Sequence, residues 1–466
     1  MDNNGTLKVK RILSFLVFAV LLVIAVRACT LLTEHKSSRI KYTDFLDNDT
    51  EYDCFLMGTS ITLNSLLPME MWRDYGIASY NFGSSNCTPA EDYYILREAM
   101  KYKKPKLVVI DMMGVVEFND IGNGKYMWTQ VEAQHTQFDC FPLSKTKAEA
   151  VNDLFDIYED RNDFLWSYIM FHNRWSELEE QDFNWKNMLN VEKGALTNTG
   201  TLGKAYSKSE PTGETISLEG VNYDYFIRLV EYCRQEGVDV LAIYLPHPVE
   251  TLNRQVANSI GAVAERYDNL EYINMLDLDI LDYDTDFTSD NTHPNLSGAL
   301  KLTDYIGQYI REHYELRDHS SDEAWLKSES KYHEYKKENI ISQKALPYYL
   351  VQLSDDEFTA YAYIYNKELT EDEWLMELFD NAGIKPEYKN IDTDKNADKE
   401  TNTDIDLFKD ADAMLDIRDA VNGETIEKAY FKYQDDTDHT DDTEAEDRDI
   451  FKLIKITEED TDASEE

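Results

Sequence analysis

The chain runs to 466 residues, more than a single hydrophobic core usually serves, so at least two folded units are expected. Its 91 acidic residues against 46 basic ones leave a formal net charge of -45, which repels phosphate backbones and excludes nucleic-acid binding. With 42% hydrophobic and 12% aromatic residues the chain can fill real cores, which excludes wholesale disorder although 29% of it is charged.

At the start, Lys8, Lys10 and Arg11 precede an apolar run from Ile12 to Val26, closed by Arg27 and extendable through Leu32. A basic cluster before such a run predicts a signal anchor with its basic flank inside and the rest of the chain extracytoplasmic. Residues 1–35 are therefore assigned to a transmembrane anchor. Five cysteines follow no CxxC or Cys/His spacing, so no zinc site is expected. Cys54 and Cys233 read as small core residues, and spacing alone does not decide whether Cys87 and Cys140 pair.

From Tyr52 onward short apolar runs alternate with helical stretches, the pattern of a doubly wound parallel sheet. Strands are predicted over 53–57, 77–81, 106–111, 238–245 and 271–275, and helices over 90–103, 219–236, 249–267 and 296–313. Gly76, Pro105 and Gly237 punctuate the joins. The stretch 114–218 is too long for a plain connection and must carry its own structure, helical over 147–180 and loop-like over 194–213. An insertion at the carboxyl end of a strand commonly walls the ligand crevice. These features define a unit over 36–317.

Residues 318–345, rich in Ser, Lys and Glu, read as a linker. A small α+β unit is predicted over 346–457, with a strand over 358–365 and a helix over 372–382. Two more strands, 413–421 and 424–433, flank Asn422-Gly423, whose residue types suit a two-residue type I′ turn. A last strand is expected within 450–456. The runs 390–406 and 435–449 are acidic and nearly free of apolar residues, and 458–466 is an acidic tail.

Chemistry concentrates at two places. Phe55-Leu56-Met57-Gly58-Thr59-Ser60 leads from a buried strand through a glycine into a serine that opens a helix, where the dipole and free N–H groups favour negative charge. Far downstream, Asp290-Asn291-Thr292-His293-Pro294 opens the last helix on the same carboxyl edge. An Asp three residues before a His can hold the Nδ1 proton while Nε2 takes the proton of the serine. Either segment alone is ordinary helix-capping chemistry. Together they nominate Ser60 as nucleophile, His293 as base and Asp290 as its partner.

With Gly58-Thr59-Ser60 as first block and Asp290-x-x-His293 as last, the layout resembles the SGNH/GDSL hydrolase superfamily. The segments Tyr75 to Gly83 and Lys104 to Asp111 are similar to membrane-anchored bacterial members of the DltD/AlgX-like acyl-transfer type. The resemblance implies a three-layer α/β/α, flavodoxin-like hydrolase domain and an oxyanion hole formed by the backbone N–H groups of Ser60 and Gly83. It also implies acylation or deacylation of cell-envelope glycans by a serine esterase or O-acyltransferase without a cofactor, with a multipass membrane acyltransferase as expected partner. Thr59 stands where the literal motif has Asp. No Gly-x-Asn-Asp block follows Asp111, and Asn119-Asp120 is the pair found downstream. That gap keeps a second expectation open, a non-catalytic glycan-binding or scaffolding protein on the same fold.

Within the insertion, His172, Arg174 and Trp175 group a base, a cation and a flat ring, and are nominated for substrate binding. His247, between two prolines at the end of the fourth strand, is read as a strand cap. Asp282, Asp284, Asp286 and Asp290 alternate like the opening of a calcium loop, but Phe287 and His293 stand where that loop needs glycine and glutamate, so no metal is assigned.

Overall fold

Strands that are apolar on both faces need a cover on each side, and in the computed structural model both covers are present. The structure describes residues 3–34, 36–47, 50–115, 135, 137–138, 142–154, 164–165, 168–184, 190–200, 202–203, 210–390, 411–433 and 452–456. Asn119-Asp120, Cys140, nearly all of the two acidic runs and the tail lie outside them.

The elements run α1 (Asn3–Thr33), α2 (Lys36–Asp47), β1 (Cys54–Met57), α3 (Ser60–Ser65), α4 (Pro68–Tyr75), β2 (Ser79–Asn81), α5 (Pro89–Ala99) and β3 (Leu107–Asp111). The insertion holds α6 (Lys145–Leu154), α7 (Tyr168–Phe171), a 3-10 turn (His172–Ser176) and α8 (Glu180–Asn184). Then come α9 (Val221–Glu236), β4 (Asp239–Tyr244), α10 (Thr251–Ala264), β5 (Leu270–Asn274) and α11 (Leu296–His313). The C-terminal part holds α12 (Glu323–Ile341), α13 (Leu346–Gln352), β6 (Phe358–Ile364), α14 (Glu373–Asn381), β7 (Glu387–Tyr388), β8 (Ala413–Asp419), β9 (Thr425–Tyr433) and β10 (Leu453–Lys455).

The first sheet is parallel throughout in the order β2-β1-β3-β4-β5, the flavodoxin-type winding. Alternate residues feed two cores. Phe55, Met57, Val108, Ile110, Val240 and Ala242 pack with residues of α5, α9 and α10. Leu56, Leu107, Val109, Leu241 and Ile243 face Ile61, Met71, Leu302 and Ile306 from α3, α4 and α11. This two-sided burial is what lets such strands read as continuous apolar runs.

The second sheet has the order β10-β9-β8-β6-β7, antiparallel except for the β6–β7 pair. Its core draws in Leu296 and Ala299 of α11 together with Leu67, so the C-terminal unit packs on the helix that follows His293. The 413–433 hairpin is present, but not with the expected two-residue turn. Asp419 stays extended while its carboxylate accepts from the N–H groups of Val421 and Asn422, and its carbonyl accepts from Gly423 N–H at 2.9 Å. This leaves Gly423 at φ +75 as the left-handed residue that ends a wider loop.

The stretch 318–345, read as a linker, contains the 19-residue helix α12. Its charged residues mask a buried face of Trp325, Tyr332, Lys336 and Ile340. Trp325 stacks on Trp72 of α4 at 5.8 Å, and Lys336 Nζ reaches Glu70 Oε1 at 3.1 Å, Asp355 Oδ2 at 2.8 Å and Glu357. Arg73 closes the same network from the other side. Removing one cation from buried carboxylates leaves charge uncompensated, so Lys336→Met is expected to cost about 3–5 kcal/mol in chemical denaturation. Unchanged stability would show that α12 is held by its aromatic face alone.

Candidate active site

β1 delivers the chain to the carboxyl edge at Met57, and the next residue must turn it sharply. Gly58 does so at φ +134, with so little room that a Cβ there would lie 2.6 Å from Thr62 Oγ1 and 2.9 Å from Asp111 Cβ. Thr59 caps α3, its Oγ1 accepting from Ile61 N–H at 3.3 Å and donating to Asp111 Oδ2 at 3.4 Å. Ser60 thereby becomes the first residue of α3. Beneath the turn lies the buried carboxyl of Asp92, pushed up to about 7 by burial. Hydrogen bonds from Cys87 and the Gly58 backbone act against that rise, and the charge of Asp111 adds to it.

The partner segment arrives from the other side of the sheet. Asn295 caps α11 through Gly298 N–H and holds the preceding loop by donating to the carbonyls of Thr285 and Phe287. In that frame His293 Nε2 lies 2.8 Å from Ser60 Oγ, and His293 Nδ1 lies 2.6 Å from Asp290 Oδ2. A carboxylate can only accept, so Nδ1 carries the proton and Nε2 is the acceptor for the serine hydroxyl. The other oxygen of Asp290 accepts from His293 N–H, Thr292 N–H and Thr288 Oγ1 at 2.9, 2.8 and 2.7 Å. Burial acts to raise Asp290, but these bonds outweigh it and hold the carboxyl well below its ordinary range.

Two braces hold the serine helix in place. Thr303 on α11 donates to Ser65 O and accepts from Leu67 N–H, both at 3.0 Å, tying the end of the serine helix to the histidine helix. Asn81, at the end of β2, donates to the carbonyls of Thr62 and Leu66 at 2.8 Å. The insertion supplies a wall. Leu196 N–H donates to Leu63 O, Asn64 donates to Leu196 O, Asn198 donates to Pro294 O, and Gly203 bridges Phe287. Residues 194–200 and 202–203 thus reach from the serine helix to the histidine loop and leave Leu196 exposed beside them. None of Thr303, Asn81, Asn64 or Asn198 carries a sequence signal, because each acts through a partner remote along the chain.

Ser60, His293 and Asp290 are brought together, but other expected site residues are placed differently. Gly83 N–H donates to Asn81 Oδ1 at 2.8 Å, so it is engaged within its own loop rather than directed at an oxyanion. The loop itself does lie beside the serine turn, through Ser84 N–H donating to Gly58 O at 3.1 Å. Arg174 is bound to Asp182 by two hydrogen bonds and to the carbonyls of Thr33 and Glu34, at the end of α1. Its guanidinium therefore serves the junction with α1. His172 and Trp175 are exposed on the same turn, which packs on α1.

His247 is buried, and its Nδ1 meets Leu245 O at 2.9 Å, which fits a strand cap. The acidic run is internally bonded: Asp286 takes Lys301, Ser297 and Asp282 N–H, and Asp282 takes Asp284 N–H. Among the described residues, the group of acids close enough to share a metal is Glu70, Asp355 and Glu357, which already surrounds the Lys336 ammonium. Cys87 carries a free thiol.

Fold and site together define a doubly wound α/β protein with a serine–histidine–aspartate hydrogen-bonded chain at the carboxyl edge of its parallel sheet. No family model matches the sequence, and no curated protein does. Among solved structures, a Streptococcus pneumonia protein provisionally described as a platelet activating factor is similar at 11% identity and a TM-score of 0.30, over 63% of this chain and 99% of that one. A likeness of that size assigns neither reaction nor residue to this chain, and the α/β class stands on the strand order itself.

His247 gives a pH test of the site's interior. Burial lowers it from 6.5 to about 4, the bond to Leu245 opposes that shift, and the neighbouring His293 adds to it. Between pH 6.5 and about 4 the unfolded chain takes up a proton that the folded chain refuses, so this contribution to stability is present above 6.5 and lost as pH falls. His247→Gln should flatten that part of the stability profile in denaturant titrations. An NMR titration placing native His247 near 6.5 would contradict the burial argument.

Proposed function

We propose that the chain is a membrane-anchored serine esterase or O-acyltransferase acting on acyl esters of cell-envelope glycans. The observation that carries the reading is the pair of contacts at His293, 2.8 Å to Ser60 Oγ and 2.6 Å to Asp290 Oδ2. Ser60 Oγ attacks the ester carbonyl as His293 Nε2 takes its proton, and Asp290 stabilises the imidazolium. Charge develops on the carbonyl oxygen beside the N-terminus of α3, where Ser60 N–H is available as a donor. His293 then protonates the leaving alcohol, and the acyl-enzyme passes its acyl group to water or to a sugar hydroxyl. The half-buried Ser60 and the solvent-reached Asp290 suit a site open to a polymer.

Membrane attachment is supported by α1. Its stretch Lys8–Thr33 is 26 residues long, and its most hydrophobic window has a mean hydropathy of 2.7 with none of it buried in the protein. A helix apolar on every face and uncovered by protein is satisfied in lipid. The competing reading, a glycan-binding scaffold, draws on the engagement of Gly83 N–H by Asn81, which removes one expected oxyanion donor.

One experiment separates the two. The full chain in detergent should hydrolyse p-nitrophenyl acetate and take a fluorophosphonate label, both lost in Ser60→Ala. Asp290→Asn should retain the fold and lower kcat by roughly three to four orders of magnitude, through loss of the Nδ1 tautomer. Folded wild-type protein with neither activity nor label would overturn the enzyme reading in favour of the scaffold.

A further inference from the structure

We propose that residues 168–184 form a membrane-facing collar, in which Arg174 clamps the outer end of the anchor helix and the exposed rings of Trp175 and Phe183 lie in the lipid interface. The proposal rests on the reading of α1 as a retained anchor.

The clamp is a built structure. A helix ends with carbonyls that lack intrahelical partners, and cations satisfy them well. Here Lys36 Nζ donates to Leu32 O at 3.0 Å and to Glu34 O at 2.6 Å, while Arg174 Nη1 donates to Thr33 O at 3.0 Å and Glu34 O at 3.2 Å. Asp182, fully buried in its side chain, pairs with both cations, at 3.3 Å from Lys36 and 2.8 Å from Arg174. Glu34 is paired in turn with Arg39. Thus α7, the 3-10 turn and α8 all pack around the last turn of α1.

The level of the collar follows from length. Counting from Ile12, the first residue after the basic cluster, the ~20 residues that cross a hydrocarbon layer end near Leu31. Along that span the large apolar side chains from Ile12 to Ile24 are 51–68% exposed, whereas Thr30, Thr33 and Glu34 are only 2–4% exposed beneath the collar. The change from lipid-exposed to protein-covered helix therefore falls where the hydrocarbon ends. Trp175 and Phe183 sit on the covering elements, yet are 70% and 64% exposed. Large rings uncovered at that depth match the aromatic belt of membrane proteins, with Trp as a preferred interfacial residue. Glu177, Glu179 and Glu180 on the same segment are exposed. The contact is therefore made by rings and not by attraction to anionic headgroups, and is expected to be insensitive to salt.

The test uses the full chain with fluorinated tryptophan, reconstituted in lipid nanodiscs. The chain has seven tryptophans, and the signal missing from Trp175→Phe identifies Trp175. That signal should lose intensity with lipids spin-labelled near the headgroup and be shielded from a water-soluble paramagnet, in low and high salt alike. In Arg174→Gln the loss should weaken while fluorophosphonate labelling of Ser60 persists. If the chain resists alkaline extraction from membranes but the Trp175 signal responds only to the aqueous agent, the collar is overturned and the anchor stands. Release of the intact chain by alkali overturns both.

Discussion

The turn at Gly58 constrains everything on the carboxyl edge of the sheet. Its positive φ lets the chain leave β1 and enter α3 without a spacer, and the close approach of Asp111 and Thr62 leaves no volume for a side chain. Because α3 begins two residues after the glycine, Ser60 has no freedom to sit elsewhere than at the helix start. As the first residue of α3, Ser60 also has a backbone N–H without an intrahelical partner. The cost of this geometry is a pair of buried carboxyls, Asp92 and Asp111, close enough to influence each other.

What the turn fixes on one side, α11 must match on the other. His293 lies before the N-cap of α11, and the Thr303 bridge to Ser65 and Leu67 sets the distance between the two helices. The C-terminal unit contributes to the same placement, since Leu296 and Ala299 pack into its core and Trp374 donates to Asp284 O at 2.8 Å. The second sheet is therefore part of what holds the histidine loop, although none of the three relay residues comes from it.

The legible part of the molecule is the part whose signals are local. The strand runs announce themselves because both faces are buried, and Phe55 to Ser60 shows a strand, a turn and a helix start within six residues. Asp290 and His293 are legible for the same reason, their bond spanning three positions. The features missed depend on distant partners. Gly83 looks available until Asn81 takes its N–H, and Arg174 looks like an anion receptor until Asp182 and the end of α1 occupy it. Helix α12 is hidden by its polar surface, since Trp325 and Tyr332 mark a face only once α4 lies against it. The loop after Asp419 shows the limit of residue types: Asn-Gly suits a tight turn, but the Asp419 carboxylate organises a longer one.

The connection between α1 and the carboxyl edge of the sheet is short in sequence. Only two residues separate Thr33 from Lys36, and α2 then enters the main core with Tyr42 and Phe45, whose ring lies 5.1 Å from Tyr80 and 4.9 Å from Phe82. From α2, Lys41 Nζ donates to Gly83 O at 2.7 Å, and Tyr80 OH donates to Lys41 O. The loop so reached is the one that Ser84 joins to Gly58. A helix held in a bilayer at one end of this path would restrict the tilt and height of the serine turn at the other, because among the described residues the steps from α2 onward are packed or hydrogen-bonded contacts. Such a connection distinguishes this arrangement from a globular domain on a long tether, which would sample many heights.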